Sequence, residues 1–244
     1  MQNYTFALRS YPNFRDNPYL DNRLRKLMAP HLLPLNHPLK PKLDALFSSS
    51  RVTESEESLL AAGFSIIASM PGSFVIVARH PELRGQVLKL YLDNEMRTKD
   101  GIPNSEWLIR RCIGAKIIRD IIIKKKFKTL TIPDKWLYIL PRIPLSQGPR
   151  PQPVLVIETD MELYNEAESL TAWKTQITPE HLNELYAILK HGYGTIRVAE
   201  NIPFTKHGTF AFTDTEYPQR KLKLRKVKPY LSEEMQIYWD TLAK

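Results

Sequence analysis

Two side chains with metal-binding oxygens, Asn201 and Asp214, stand thirteen residues apart on either side of a short alternating segment. The segment predicts a β-hairpin, because two strand-forming runs, 202–205 and 209–213, flank a turn that contains glycine. Such a hairpin would place Asn201 and Asp214 at one end of a small sheet. Because these oxygens suit hard cations such as Mg²⁺, that end is a candidate metal site. Glu216 is either a third ligand there or an ordinary loop residue.

The chain before the hairpin predicts a sheet and a long helix. Strand-forming runs separated by turn residues occupy 64–69, 74–78, 86–92, 128–132, 135–140 and 154–157. Lys89 lies among apolar residues in the third run, where it is either a binding residue or the solvent-facing residue of an amphipathic strand. Apolar residues at helical spacing predict a helix from Pro103 to about Lys126, with Glu106 in its first turn.

Taken in this order, the parts resemble the protein-kinase-like superfamily, in which a hairpin also separates a metal-binding Asn from a metal-binding Asp. The spacing of Asn201 and Asp214 matches that family. The resemblance implies an α+β, two-lobed kinase-like fold, with a five-stranded antiparallel sheet and one long helix in the N-lobe and a small helical C-lobe. It divides the chain into a proline-rich extension (1–55), the N-lobe (56–163) and a reduced C-lobe with the hairpin and a basic segment (164–244).

The resemblance also implies an ATP and Mg²⁺ site. Lys89 would contact the α- and β-phosphates, and Glu106 would pair with Lys89, although a Glu also simply favours a helix start. The other nucleotide contacts implied are Gly72, Glu158, Asp160 and Met161. The metal ligands implied are Asn201, Asp214 and Glu216.

Three departures from the family bear on catalysis. Ile196 stands five residues before Asn201, where an active kinase has the Asp that accepts the proton of the attacking hydroxyl. Gly72 is the single glycine between the first two predicted strands, and few residues follow the hairpin. We therefore expect a pseudokinase that acts through a protein partner. The alternative is an ATP-dependent phosphotransferase for small molecules or lipids, with its base relocated to a residue such as Glu200 or His191.

The formal net charge of +9 indicates attraction to phosphate groups. A basic run, Arg220 to Lys228, alternates in part with Leu222 and Leu224. It is either a strand or loop with one solvated face, or a surface for an anionic lipid or a nucleic acid. The second interpretation makes the chain a non-catalytic binding module.

Composition excludes several other classes of site. Cys112 is the single cysteine, which rules out an intramolecular disulfide and a cysteine-based zinc cluster. No apolar run is long enough for a membrane span, and the first residues do not resemble a signal peptide. We expect a cytoplasmic protein, or one delivered into a host cell without a cleavable signal peptide.

Overall fold

A computed structural model describes residues 2–70, 72–216, 219 and 221–243. It divides into two compact units. The first comprises the described residues within Met1–Ile109 and Lys135–Thr159, and the second those within Arg110–Asp134 and Asp160–Lys244.

The helices are α1 Gln2–Ser10, α2 Pro12–Arg15, α3 Asn22–Met28, α4 Lys40–Ser48, α5 Glu56–Ala61, α6 Asn104–Lys125, α7 Glu166–Thr175, α8 Pro179–Leu189, α9 Val198–Asn201 and α10 Glu233–Leu242. The strands are β1 Ser65–Met70, β2 Val75–Arg79, β3 Gln86–Leu90, β4 Leu130–Thr131, β5 Lys135–Ile139, β6 Val154–Thr159 and β7 Phe210–Ala211.

The first unit is built on a sheet. Within the described residues, five antiparallel strands pair in the order β1-β2-β3-β6-β5. The predicted α+β composition, five-stranded antiparallel sheet and long helix are therefore confirmed. Strand β6 lies between β3 and β5, and its first five residues are buried, as its unbroken apolar run predicts.

The proline-rich residues before the sheet pack into the same unit. They include the short helices α3 and α4, and Leu43 and Phe47 of α4 belong to the core beneath the sheet. The amide of Leu33 donates to the carbonyl of Leu137, 2.9 Å away, on the outer side of β5. These residues therefore cover part of an exposed sheet edge.

The second unit has its own core around helix α8. Thr178 caps this helix and Pro179 is its first residue, a position that suits proline. Glu184, on the same helix, is buried and accepts hydrogen bonds from the amides of residues 128–130 and from the hydroxyl of Thr129. The carboxylate thereby holds β4 against the helix.

The predicted hairpin forms in this second unit. Backbone hydrogen bonds run from Thr205 to Thr209, from Ala211 to Pro203 and from Thr213 to Asn201, each 2.9–3.0 Å long. Strand β7 of the hairpin pairs in parallel with β4. Of the two strand segments predicted on either side of Pro133, only the second, β5, joins the five-stranded sheet.

Helix α6 runs through both units, with residues 104–109 in the first and 110–125 in the second. Its bounds agree with the prediction to within one residue at each end. Neither α6 nor any other helix among the described residues combines the length and apolarity that a membrane crossing requires.

Candidate metal and nucleotide site

The hairpin register brings Asn201 next to the strand that leads into Asp214. The carbonyl of Asn201 accepts from the amide of Thr213 at 3.0 Å and from its hydroxyl at 3.3 Å. The side-chain nitrogen of Asn201 lies 3.5 Å from the hydroxyl of Thr195. Asp214 follows directly, and its side chain is 31% exposed. Local pairing therefore fixes the backbones of the two predicted metal ligands in the second unit.

Glu216 forms an ion pair with a residue that the sequence analysis did not identify. The guanidinium of Arg111, on α6, donates from Nη2 to Oε2 of Glu216, and both side chains are buried. The Nε of Arg111 also lies 3.7 Å from Oδ1 of Asp214, a looser ion pair. The carboxylate of Glu216 is thus neutralised by an arginine, so it is a poor candidate for a metal ligand.

Residues 214–216 pack closely against helix α6. The hydroxyl of Thr215 donates to the carbonyl of Arg111 at 2.7 Å. A Cβ built on Gly114 would lie 2.2 Å from the carbonyl oxygen of Thr215, a distance that only glycine permits. Trp107, Arg111, Gly114 and Ile118 share one face of the helix. An arginine among apolar positions on this face is the sequence feature that could have identified Arg111 as a buried ion-pair partner.

The side-chain oxygens available here suit Mg²⁺ only if a bound ligand supplies further oxygen atoms. Among the described residues, no three His, Cys, Asp or Glu side chains are grouped as a metal centre. Asp214 and Asn201 leave two candidate oxygen ligands, and Mg²⁺ is commonly held by one or two carboxylates together with nucleotide phosphates and water. The residues therefore suit a nucleotide-bound Mg²⁺ better than a permanent metal centre.

In the first unit, Lys89 is held by Glu158. The register of β3, β6 and β5 places Lys89 opposite Val156 and Lys135 opposite Glu158. The two ammonium nitrogens, of Lys89 and Lys135, each lie 2.9 Å from a different carboxylate oxygen of Glu158. All three residues are buried.

Burial alone would raise the pKa of Glu158, but the charges and hydrogen bonds of Lys135 and Lys89 outweigh it and lower that pKa. Glu158 is therefore ionised at neutral pH and holds two lysines inside the sheet. Lys135 was not identified from the sequence, since a lysine at the start of a strand is ordinary. The nucleotide contact that the resemblance implies for Glu158 stays a prediction.

The other predicted nucleotide contacts are placed as follows. Glu106 accepts a hydrogen bond from Nη2 of Arg23 at 2.6 Å, and its predicted pairing with Lys89 stays a prediction. Asp160 accepts from the amide of Glu162 at 3.1 Å, and Met161 is half-buried. Gly72 is exposed, and a Cβ there would meet nothing within 4 Å.

Ile196, at the position where the resemblance would place a catalytic base, is a core-packing residue. Ile196 is half-buried against the core of the second unit. Glu200, a candidate for a relocated base, forms a surface ion pair with Arg197 at 3.4 Å. His191 is exposed just after α8.

No protein-family model matches the sequence, and no curated protein is significantly similar to it. The assignment of function therefore depends on the residues and their geometry.

Proposed function

We propose that the chain is a divergent kinase-like protein that binds ATP with Mg²⁺ and acts through protein contacts. The observation that carries the proposal is the hairpin of the second unit. It pairs Asn201 directly with Thr213, the residue before Asp214, while Arg111 and Gly114 hold the segment that follows. Asp214 keeps a partly exposed carboxylate that can meet a nucleotide-bound cation.

The side chains available for proton transfer support binding over catalysis. Ile196 cannot accept a proton, and Glu200 is occupied by Arg197 on the surface. ATP and Mg²⁺ bound there would present a fixed surface to a protein partner.

A thermal-shift titration with ATP, with and without Mg²⁺, tests this proposal. Wild-type protein is expected to gain several degrees at saturating ATP and Mg²⁺, because a ligand that binds the folded state stabilises it by mass action. Asp214→Asn should lose the Mg²⁺-dependent part of the shift, because the neutral amide is a weaker ligand. Asp120→Asn is the matched control, since Asp120 is exposed and forms a surface ion pair with Lys116 at 2.6 Å.

An equal shift in Asp214→Asn and wild type, or none in wild type, would refute nucleotide binding at this residue. Transfer of phosphate from ATP to a small molecule or lipid, abolished by Asp214→Asn, would instead support the atypical kinase. No transfer above background is expected.

A second candidate function is binding of an anionic partner by the C-terminal basic segment, here the described residues 221–228. Arg220, the first residue of the predicted run, lies outside the described residues. Leu222 and Leu224 pack against the core of the second unit, and Nε1 of Trp239 donates to the carbonyl of Leu224 at 3.0 Å. The exposed cations of this anchored segment are Lys221, Lys223, Arg225 and Lys226.

Retention on a heparin column measures this second function. The triple variant Lys221→Glu, Lys223→Glu, Arg225→Glu should elute at a distinctly lower salt concentration, because each lost cation removes a counterion-releasing contact. The control variant makes the same change in charge at three exposed lysines elsewhere in the unit, Lys174, Lys190 and Lys206. Equal elution of the two variants would show that net charge alone determines retention.

A further inference from the structure

The loop between β5 and β6 exposes two aliphatic side chains. Ile143 is 76% exposed and Leu145 is 68% exposed. They stand two residues apart in a loop that is otherwise rich in proline and polar residues. Single exposed aliphatic residues are ordinary on protein surfaces. A neighbouring pair needs an explanation when the loop beneath it is fixed in place.

Asp93, whose side chain is fully buried, anchors the second half of this loop. Its carboxylate accepts from the amide of Gln152 at 2.5 Å, and its carbonyl accepts from the amide of Arg150 at 3.0 Å. A Cβ on Gly148 would lie 2.7 Å from the backbone of Asp93. The loop thus lies directly against a buried residue.

Arg51 and Glu54 hold the rest of the loop. The guanidinium of Arg51 pairs with Asp93 at 2.6 Å and donates to the carbonyls of Pro141 and Gln152 at 3.1 and 2.7 Å. The carboxylate of Glu54 accepts from Ser146 and from the amide of residue 147, each at 3.1 Å. Hydrogen bonds at both ends and in the middle therefore fix the backbone on either side of Ile143 and Leu145.

The charge of the loop is of one sign. Residues 140–153 contain Arg142 and Arg150 and no Asp or Glu. Both arginines are exposed. The guanidinium of Arg142 also donates to the carbonyl of Asp16 at 3.2 Å. Aliphatic side chains flanked by exposed cations match the boundary between the phosphates and the acyl chains of an anionic bilayer.

We propose that this loop is a membrane-contact site, with Ile143 and Leu145 entering the interface of an anionic bilayer and Arg142 and Arg150 meeting lipid phosphates. A bilayer accepts two small side chains without a complementary pocket. A stable protein interface usually buries about 800 Å² on each partner and is enriched in aromatic residues, which this loop lacks. Because the loop is already ordered, little conformational entropy is lost on insertion. The proposal is independent of nucleotide binding.

Environment-sensitive fluorescence tests the insertion directly. Leu145→Cys is labelled with a nitrobenzoxadiazole dye, since the native Cys112 is buried, and is mixed with vesicles of phosphatidylcholine and phosphatidylserine. The emission should rise and shift to shorter wavelength. The same dye at Ile237→Cys, a position 71% exposed on α10, should show no such change.

Vesicle co-sedimentation supplies the second measurement. Ile143→Asp with Leu145→Asp should reduce binding at least tenfold, while Ile237→Asp leaves it unchanged. Equal dye responses at 145 and 237, or full binding by the double variant, would overturn the proposal. Concentration-dependent self-association of wild type in sedimentation velocity, lost in the double variant, would also overturn it by identifying a contact between copies of the chain.

Discussion

Glu158→Gln is expected to lower the free energy of unfolding by about 3–5 kcal/mol, because it leaves two buried lysines without the carboxylate that they share. The amide keeps the shape of the side chain, so the loss measures charge and not volume. Urea denaturation at neutral pH followed by circular dichroism gives the value. Glu162→Gln is the matched control, since Glu162 is 58% exposed.

The pH dependence of this difference has a definite sign. The pKa of Glu158 is lowered in the folded state, so its contribution is fully present above the pKa of an unfolded Glu, about 4.3. That contribution is lost as the pH falls through the lower, folded-state pKa. The difference between wild type and Glu158→Gln should be constant from about pH 7 to pH 5 and should shrink in more acidic solution. A difference that grows below pH 4 would contradict this assignment.

Lys135→Met completes a double-mutant cycle. On its own, Lys135→Met leaves Glu158 paired with Lys89, so it should lower the free energy of unfolding by less than Glu158→Gln does. Combined with Glu158→Gln, it removes one of the two buried ammonium groups that lose the carboxylate of Glu158, so it should restore part of the lost stability. A coupling energy near zero would show that the two residues do not interact energetically.

Local patterns predicted the elements of this fold well. The hairpin around Gly208 and the helix that follows Pro103 depend on neighbours in the chain, and both form as expected. The structure of the residues before 55 was harder to predict, because their prolines indicate only where helices stop. Their packing depends on distant contacts such as that between Leu33 and Leu137.

The side-chain partners of the candidate site were not predictable in the same way. The pairing of Glu158 with both lysines follows from the register of three strands, which the sequence does not specify. Arg111 and Glu216 are 105 residues apart, so the identity of the partner depends on how the hairpin packs on α6. Gly114 gave a weak signal, because a glycine within a helix suggests a close approach of another backbone.

Arg111→Met is the second variant with a large expected effect. The guanidinium pairs with the buried Glu216 and lies near Asp214, so its removal takes the arginine partner away from a buried carboxylate of the second unit. A loss of about 3–5 kcal/mol is expected. For a chain of this size the melting temperature should fall by roughly 10 °C in calorimetry. Arg119→Met is the control, since Arg119 pairs with the exposed Asp134 at 2.9 Å.

The double variant Arg111→Met, Glu216→Gln distinguishes a charge effect from a packing effect. Removing both charges should recover much of the stability, because a neutral amide is less costly to bury than a carboxylate. If the arginine also positions Asp214, the recovered protein should still show a reduced Mg²⁺-dependent shift with ATP, since the 3.7 Å contact to that carboxylate is lost. Full recovery of both stability and shift would limit Arg111 to neutralising Glu216. No recovery of stability would show that the methylene and guanidinium packing of Arg111, and not its charge, holds residues 214–216 against α6.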